Sequence, residues 1–136
     1  MSHFTAIRTK IADAKFLLLA LQDLGFADVE VHREARHLDG YRGDTRPEMA
    51  EIIVRRQHLG RISNDIGFQQ QPDGSFTAII SEFDRGAKYG EPWLGRLTQR
   101  YAYHATKAHL EAQGFAVQEQ SVEGGRVHLL LRRAQW

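Results

Sequence analysis

Residues 66–80 read IGFQQQPDGSFTAII, and this stretch decides the fold that the sequence predicts. Apolar residues stand at alternate positions over 66–68 and over 76–80, as in half-buried β-strands. Between the two runs, Pro72 fixes φ and Gly74 tolerates a positive φ, which is the chemistry of a tight turn. The stretch therefore predicts a β-hairpin of two consecutive strands.

The sequence before this hairpin predicts three more strands and one helix. Apolar and β-branched residues alternate over 4–11, 27–31 and 50–54, which favours a strand in each segment. The helix begins after Asp13, a good N-cap residue, and ends at Gly25, which can take the left-handed conformation. Its apolar stripe has the spacing i, i+3, i+4, i+7 and consists of Leu17, Ala20, Leu21 and Leu24. Residues 36–48 are polar and contain Gly40, Gly43 and Pro47, so we expect a loop there.

The sequence after the hairpin predicts a second polar loop, a long helix and two strands. The loop covers residues 84–91, and Pro92 suits the first turn of the helix. The helix carries an apolar stripe from Leu94 to Ala112 and ends at Gly114. Residues 115–120 and 127–131 then alternate as strands on either side of a Glu-Gly-Gly turn.

The resulting order is β-α-β-β-β-β-α-β-β in a single domain covering residues 1–136. Few helices and strands joined mainly by hairpins indicate an α+β fold, with a mainly antiparallel sheet and two helices packed on one face. Residues 21–27 (LQDLGFA) resemble residues 110–116 (LEAQGFA), and each stretch lies inside a β-α-β-β unit. This echo is either an internal repeat or a recurring helix–Gly–strand junction.

Composition excludes several classes of protein. A chain of 136 residues with 42% hydrophobic and 26% charged residues is an ordinary globular domain rather than a disordered chain. It has no cysteine, which excludes disulfides and thiolate metal sites, and no apolar run approaches the length of a membrane helix. A net charge of +1 argues against a strong general attraction to nucleic acid. We expect a soluble cytoplasmic protein.

No pattern in the sequence predicts catalysis, a metal site or a cofactor. The seven histidines lack the spacing of a helical zinc site, and there is no phosphate loop or dinucleotide-binding motif. Two carboxylate pairs lie in predicted loops or at a strand end, Asp39 with Asp44 and Glu82 with Asp84. Neither pair has a neighbour that would separate the two pKa values, so we interpret these carboxylates as solvated loop charges.

Five side chains are candidate contact residues, because tyrosine and arginine dominate binding hot spots. Tyr41 and Arg42 lie in the glycine-flanked segment GYRG of the first predicted loop. Arg100, Tyr103 and His104 lie on the second helix, where the spacing of Arg100 and Tyr103 predicts one exposed face. Tyr101 falls on the apolar stripe instead, as a core residue whose hydroxyl group reaches the rim.

Several segments, in order along nearly the whole chain, resemble the hypothetical chloroplast reading frame thirty-five family, small conserved proteins of cyanobacteria, some plastids and other bacteria. The matching segments are MSHF at 1–4 with Ile7 and Thr9, GYRG at 40–43, Ala50 with Ile53 and Val54, NDIGF at 64–68, LTQRYAY at 97–103 and QGF at 113–115. Residues 82–93 depart from the family pattern. The family has no established activity, but the resemblance implies a protein encoded near an AAA-type ATPase.

Three functions remain open at this stage. The first is a non-enzymatic protein-binding or adaptor module, working with an AAA-type ATPase system. The second is a nucleic-acid-binding domain that uses a basic helix or sheet face. The third is a small-ligand-binding protein or enzyme with a pocket lined by Tyr101, His104 and Arg42.

The two most specific family segments are also predicted to meet in the fold. Ile66 and Phe68 should point into the core against Leu97 and Tyr101. Gly67 should lie on the opposite face of the sheet, where a missing side chain allows a backbone to approach closely. Residues 64–65 should form the turn that enters the strand.

Overall fold

A computed structural model describes residues 3–133 of the chain. Its elements are β1 Phe4–Arg8, α1 Ala14–Asp23, β2 Glu30–Asp39, β3 Thr45–Val54, a 3₁₀ turn Arg56–His58, β4 Ile66–Gln70, β5 Phe76–Ser81, α2 Glu82–Gly86, α3 Glu91–Ala112, β6 Phe115–Glu123 and β7 Arg126–Arg133. The predicted α+β fold is confirmed, with the predicted element order and one additional short helix, α2. No helix among these residues is long and apolar enough to span a membrane.

The first five strands form one antiparallel sheet in the order β1-β5-β4-β3-β2. The predicted β4–β5 hairpin lies at its centre, with Phe68 opposite Ala78. β1 pairs with β5 and β3 pairs with β4, so the central hairpin gains one strand on each side. The stretch that decides the sequence-based prediction is thus the middle of the sheet.

One face of the sheet packs against α1 and α3, as predicted. The core joins Leu17 and Leu21 of α1 and Leu97 of α3 to Ile66 and Phe68 of β4. These side chains are fully buried, and Tyr101 packs against them from the edge. The predicted meeting of the two family segments is therefore confirmed.

The other face of β4 and β5 is covered by part of the β2–β3 hairpin. Leu38 and Ala50 form a second buried cluster with Ile79. A Cβ atom on Gly67 would lie only 2.7 Å from the Ala50 Cβ and 3.0 Å from a Leu38 methyl carbon. Gly67 faces away from the helices as predicted, but it makes room for these two side chains rather than for a backbone. A register shift between Val31 and Arg36 lets the hairpin bend to this position.

The predicted loop at 36–48 is wrong. β2 continues to Asp39, β3 already begins at Thr45, and the turn between them covers only residues 40–44. β2 is an edge strand with many exposed side chains, so its sequence is polar without being a loop. Pro47 lies near a shift in strand register, where proline is tolerated.

Two further boundaries differ from the predictions. The second strand begins at Glu30 rather than at residue 27, and the predicted loop at 84–91 includes the end of α2. Ser81 caps α2 by accepting a hydrogen bond from the backbone N–H of Asp84. The spacing Ser-x-x-Asp is the signature of a capping box and would have predicted this helix.

β6 and β7 form a separate two-stranded sheet beside α3. Their turn is Gly124-Gly125, where both residues have positive φ. A groove of about 390 Å³ separates part of α3 from β7 and is lined by Tyr103, Val127 and Leu129, among others. The LQDLGFA and LEAQGFA echo thus corresponds to two helix–hairpin units, of which only the first hairpin joins the main sheet.

Candidate functional site

Tyr41 and Arg42 form the tip of the β2–β3 hairpin. The Nε of Arg42 donates a hydrogen bond of 2.9 Å to the Tyr41 hydroxyl, and its guanidinium group lies 5.3 Å from the Tyr41 ring centre. Arg42 is exposed and Tyr41 is half-buried. The pair is therefore already arranged before any partner binds, which lowers the entropic cost of forming a contact.

The side chains of Asn64 and Arg56 fix the backbone of this tip. The N–H of Tyr41 donates to Oδ1 of Asn64 at 2.9 Å, and a guanidinium nitrogen of Arg56 donates to the carbonyl oxygen of Tyr41. Asn64 is itself buried. A motif that the sequence assigned only to a turn is therefore the support of the candidate contact pair.

Asp65, the next residue, is completely buried and ties three segments together. Its carboxylate accepts hydrogen bonds from the backbone N–H groups of Asp39 and Arg56, each at 2.7 Å. It also accepts a 2.8 Å hydrogen bond from the guanidinium group of Arg55. A buried carboxylate with three donors is well compensated for the loss of water.

Arg55 continues this network to Glu30 at the start of β2. Two guanidinium nitrogens of Arg55 donate to the two carboxylate oxygens of Glu30 at 2.7 and 2.9 Å. These hydrogen bonds lower the pKa of Glu30 to about 2. The bonds to Glu30, followed by the bond to Asp65, raise the pKa of Arg55 above its usual value. The network fixes the base of the β2–β3 hairpin.

Asp84 is not the solvated loop charge that we expected. It is 1% exposed, and its Oδ2 accepts hydrogen bonds from the Ser81 hydroxyl at 2.7 Å and from the Asn64 N–H at 3.0 Å. Its other oxygen has no hydrogen-bond partner among the described residues. Asp84 lies in the first turn of α2, which Ser81 caps, and it is buried because this turn packs against Asn64.

The prediction that Tyr103 projects outward is wrong. Only 9% of Tyr103 is exposed, because β6 and β7 cover this side of α3. The spacing of apolar residues in α3 identified the stripe that packs on the main sheet. It could not show that the β6–β7 hairpin packs on a second side of α3. Arg100 stacks over the Tyr103 ring, 4.4 Å from its centre.

Arg100 and His104 converge on Asp23 at the end of α1. Nε of Arg100 and Nε2 of His104 lie 2.8 and 2.7 Å from the same carboxylate oxygen. Burial raises the pKa of Asp23, but the hydrogen bonds from Arg100 and His104 outweigh it, so the pKa is lowered. A carboxylate at a helix C-terminus opposes the helix dipole, and the two basic groups offset this cost. Arg100 and His104 thus join α1 to α3 rather than forming a free basic face.

The structure does not bring Tyr101, His104 and Arg42 together. The hydroxyl of Tyr101 accepts hydrogen bonds from the N–H groups of Ala12 and Asp13, before α1, whereas His104 binds at the other end of α1. Arg42 lies on the hairpin tip with Tyr41. The grooves that we describe are not lined by these three residues, and the described residues contain no group of three or more metal-ligating side chains.

The β6–β7 hairpin is a surface that the sequence analysis missed. It carries three of the six exposed large hydrophobic residues among those described: Val122, Leu130 and Leu131. Val122 is 61% exposed and Leu130 is 51% exposed. The segment RVHLLLRR at 126–133 contains three arginines and no acidic residue, a signal that was present in the sequence.

Comparisons with known proteins find relatives that match nearly the whole length of this chain. "Uncharacterized protein ycf35" of Pyropia yezoensis is 28% identical over 139 residues, covering 98% of each chain. The protein of the same description from Guillardia theta is also 28% identical, over 142 residues and 98% of each chain. No solved structure matches. The family described as "Protein of unknown function (DUF1257)" matches residues 20–130, and the chain therefore belongs to this family.

Proposed function

We propose that this chain is a non-enzymatic protein-binding module that acts in the cytoplasm as an adaptor. The observation that carries the proposal is the β6–β7 hairpin. Exposed hydrophobic side chains are concentrated on a two-stranded sheet that no other strand of the described chain extends. Val122 and Leu131 share one face of this hairpin and Leu130 lies on the other, so both faces carry an exposed apolar side chain that a partner could cover.

The Tyr41–Arg42 tip supports the same proposal as a second contact region. The tip is exposed at Arg42, and its backbone is fixed by Asn64 and Arg56. Arg42 presents a guanidinium group in a set orientation, which suits a carboxylate on a partner protein. Of the five candidate contacts, Tyr41 and Arg42 retain this role, whereas Arg100, Tyr103 and His104 serve packing within the chain.

An AAA-type ATPase is the first candidate partner. The resemblance to the chloroplast reading frame family implies such a neighbour. The geometry supports binding more than catalysis, because the residues proposed for a pocket point to different ends of α1 and to the hairpin tip.

The proposal is tested by affinity capture from the native host with three baits: the unchanged chain, a Leu130→Thr/Val122→Thr variant and a Tyr41→Ala/Arg42→Ala variant. A stoichiometric partner should bind the unchanged chain and be lost with at least one variant. An Arg33→Ala variant, changed at an exposed position of β2, should keep the partner.

The alternative of nucleic-acid binding is separated in the same experiment. Loss of the captured partner after nuclease treatment indicates nucleic acid instead of a protein partner. So does an association constant whose logarithm falls steeply and linearly with the logarithm of the salt concentration, because this dependence reflects phosphate contacts. Recovery of chaperones alone from all baits would refute the protein-binding proposal.

A further inference from the structure

We propose that the outer edge of β7 binds an acidic, extended segment of a partner protein as a third strand. This inference rests on the proposed protein-binding function and names the chemistry of the partner. The hairpin would become a three-stranded antiparallel sheet, with main-chain hydrogen bonds supplying affinity and side-chain charge supplying specificity.

The first argument is that the β6–β7 sheet is incomplete. A two-stranded hairpin is marginally stable by itself in water; packing against α3 supports this one, and a third strand would add to that support. β7 pairs only with β6, over residues 126–133, and no other described strand lies along its second edge. The unpaired edge exposes N–H and C=O groups that a partner strand can satisfy.

The second argument is an internal comparison within this chain. β2 and β3 follow α1 as β6 and β7 follow α3, and both units enter their first strand through the Gly-Phe-Ala sequence. β3 carries β4 on the edge away from β2. β7 is the counterpart of β3, and the position that corresponds to β4 is open.

The third argument is that β7 is the most suitable free edge. β6 has a register irregularity between Val117 and Glu119, whereas β7 runs through eight residues. In the main sheet, the edge strand β2 is interrupted between Val31 and Arg36, and the opposite edge strand β1 has five residues. A long, regular strand offers the larger number of consecutive backbone partners.

The fourth argument is charge. Arg126, Arg132 and Arg133 give β7 three positive charges, and the strand has no carboxylate. Opposite charges across neighbouring strands stabilise pairing, and like charges directly opposite each other destabilise it. The same arginines therefore disfavour pairing of two β7 strands from two copies and favour an acidic partner.

The register identifies which backbone groups face the partner. Glu123 pairs with Arg126 around the two-residue turn, so these residues exchange hydrogen bonds with each other. Alternate residues along β7 then direct their backbone groups away from β6, beginning with Val127 and continuing with Leu129 and Leu131. Of these three, Leu131 is the most exposed.

The experiment uses the full chain, labelled with ¹⁵N, and an eight-residue peptide that alternates glutamate with valine. Saturable shifts of the amide signals of Val127, Leu129 and Leu131 are expected. The same peptide with lysine in place of glutamate should cause none. A single-stranded oligonucleotide serves as a polyanion control that cannot add a β-strand.

Two variants, each with a matched control variant, test the side-chain charge and the backbone hydrogen bonds of β7 separately. Arg126→Glu/Arg132→Glu should weaken peptide binding about tenfold, since two exposed ion pairs of about 0.7 kcal/mol each are lost. Arg33→Glu/Arg36→Glu makes the same change in net charge at exposed positions of β2 and should leave binding nearly unchanged. Leu131→Pro removes one outward N–H and should abolish binding, whereas Leu131→Val should not.

The outcomes distinguish this inference from the proposed function. Equal weakening by the β2 and β7 charge variants, equal binding of the lysine peptide, or preferential binding of the oligonucleotide would overturn strand addition. If the acidic peptide does not bind while affinity capture still recovers a partner through Tyr41 and Arg42, the inference fails and the protein-binding function stands. For every variant, unchanged amide signals over residues 3–113 show that the main domain remains folded.

Discussion

The two hairpins that follow α1 and α3 differ in how the rest of the chain holds them. β2–β3 joins the five-stranded sheet, contributes Leu38 and Ala50 to a buried cluster and is fixed at its base by Arg55, Glu30 and Asp65. β6–β7 pairs with no other described strand, and a groove lined by Tyr103, Val127 and Leu129 lies between it and part of α3. Similar junction sequences therefore lead to one hairpin that joins the main sheet and one that forms a separate two-stranded sheet.

Asp65 should show the largest difference between the two regions. Asp65→Ala leaves two partly buried backbone N–H groups without this acceptor and removes one carboxylate from Arg55, so we expect a loss of about 3–5 kcal/mol in the free energy of unfolding. The comparison change Asp23→Ala removes a partly exposed carboxylate that joins α1 to α3 and should cost about 1 kcal/mol. Urea denaturation measures both, and equal losses would contradict the role of the buried Asp65 carboxylate in anchoring the β2–β3 hairpin.

Gly67 tests how closely the β2–β3 hairpin packs on the sheet. A Cβ at this position would lie 2.7 Å from the Ala50 Cβ, so Gly67→Ala should destabilise the protein by about 1–3 kcal/mol through overpacking. Ala50→Gly alone should cost about 1 kcal/mol because it loosens a strand.

The double variant Gly67→Ala/Ala50→Gly is the control for this packing argument. It moves the methyl group from one side of the contact to the other and should be more stable than Gly67→Ala alone. Thermal unfolding of the unchanged protein, the two single variants and the double variant gives the interaction energy between positions 50 and 67. If the losses of the two single variants add exactly in the double variant, the two side chains do not clash.

Glu30 gives the first hairpin a pH dependence. Hydrogen bonds from Arg55 hold the pKa of Glu30 at about 2, below its ordinary value of 4.5. A lowered pKa in the folded state stabilises the protein above the unfolded-state value, and this stabilisation is lost as the pH falls from 4.5 towards 2. Glu30→Gln should therefore lower stability at pH 7 and flatten its decline below pH 4.5.

The decline in stability at acid pH, called the acid limb below, is measured by denaturation at several pH values. Asp73→Asn is the comparison: hydrogen bonds from Ser75 also lower the pKa of Asp73, but this carboxylate lies in the exposed turn of the central hairpin, so its removal should alter the acid dependence less. An unchanged acid limb in Glu30→Gln would show that the Arg55 pair contributes nothing to the anchoring of β2.

The sequence predicted the elements whose pattern reflects one buried face. Alternation in β4 and β5 and the i, i+3, i+4 stripe in α1 depend on local geometry, and the structure confirms them. The sequence pattern did not predict the strands within residues 36–48, because polar residues are equally common on an exposed edge strand and in a loop.

Side-chain environments created by distant segments were the least predictable. Tyr103 is buried by a hairpin that lies about twenty residues later, and Asp84 is buried against Asn64 from the other side of the central hairpin. Neither contact has a periodic signature. The exposed Tyr41–Arg42 tip was identified correctly as a turn because Gly40 and Gly43 mark it locally, while its support by Asn64 depends on the tertiary fold.

The smallest expected effect concerns Gln120, which links the second hairpin to the helices. Its side-chain oxygen accepts a hydrogen bond of 3.1 Å from Arg100, and both side chains are near solvent. Gln120→Ala should change the global free energy of unfolding by less than about 0.5 kcal/mol, as is usual for a surface contact. Hydrogen exchange of β6 and β7 should nevertheless become faster, while exchange in β4 and β5 stays unchanged, because the hairpin opens locally without unfolding the sheet. If exchange accelerates equally in all four strands, the hairpin unfolds together with the domain and is not the separate unit that its strand pairing indicates.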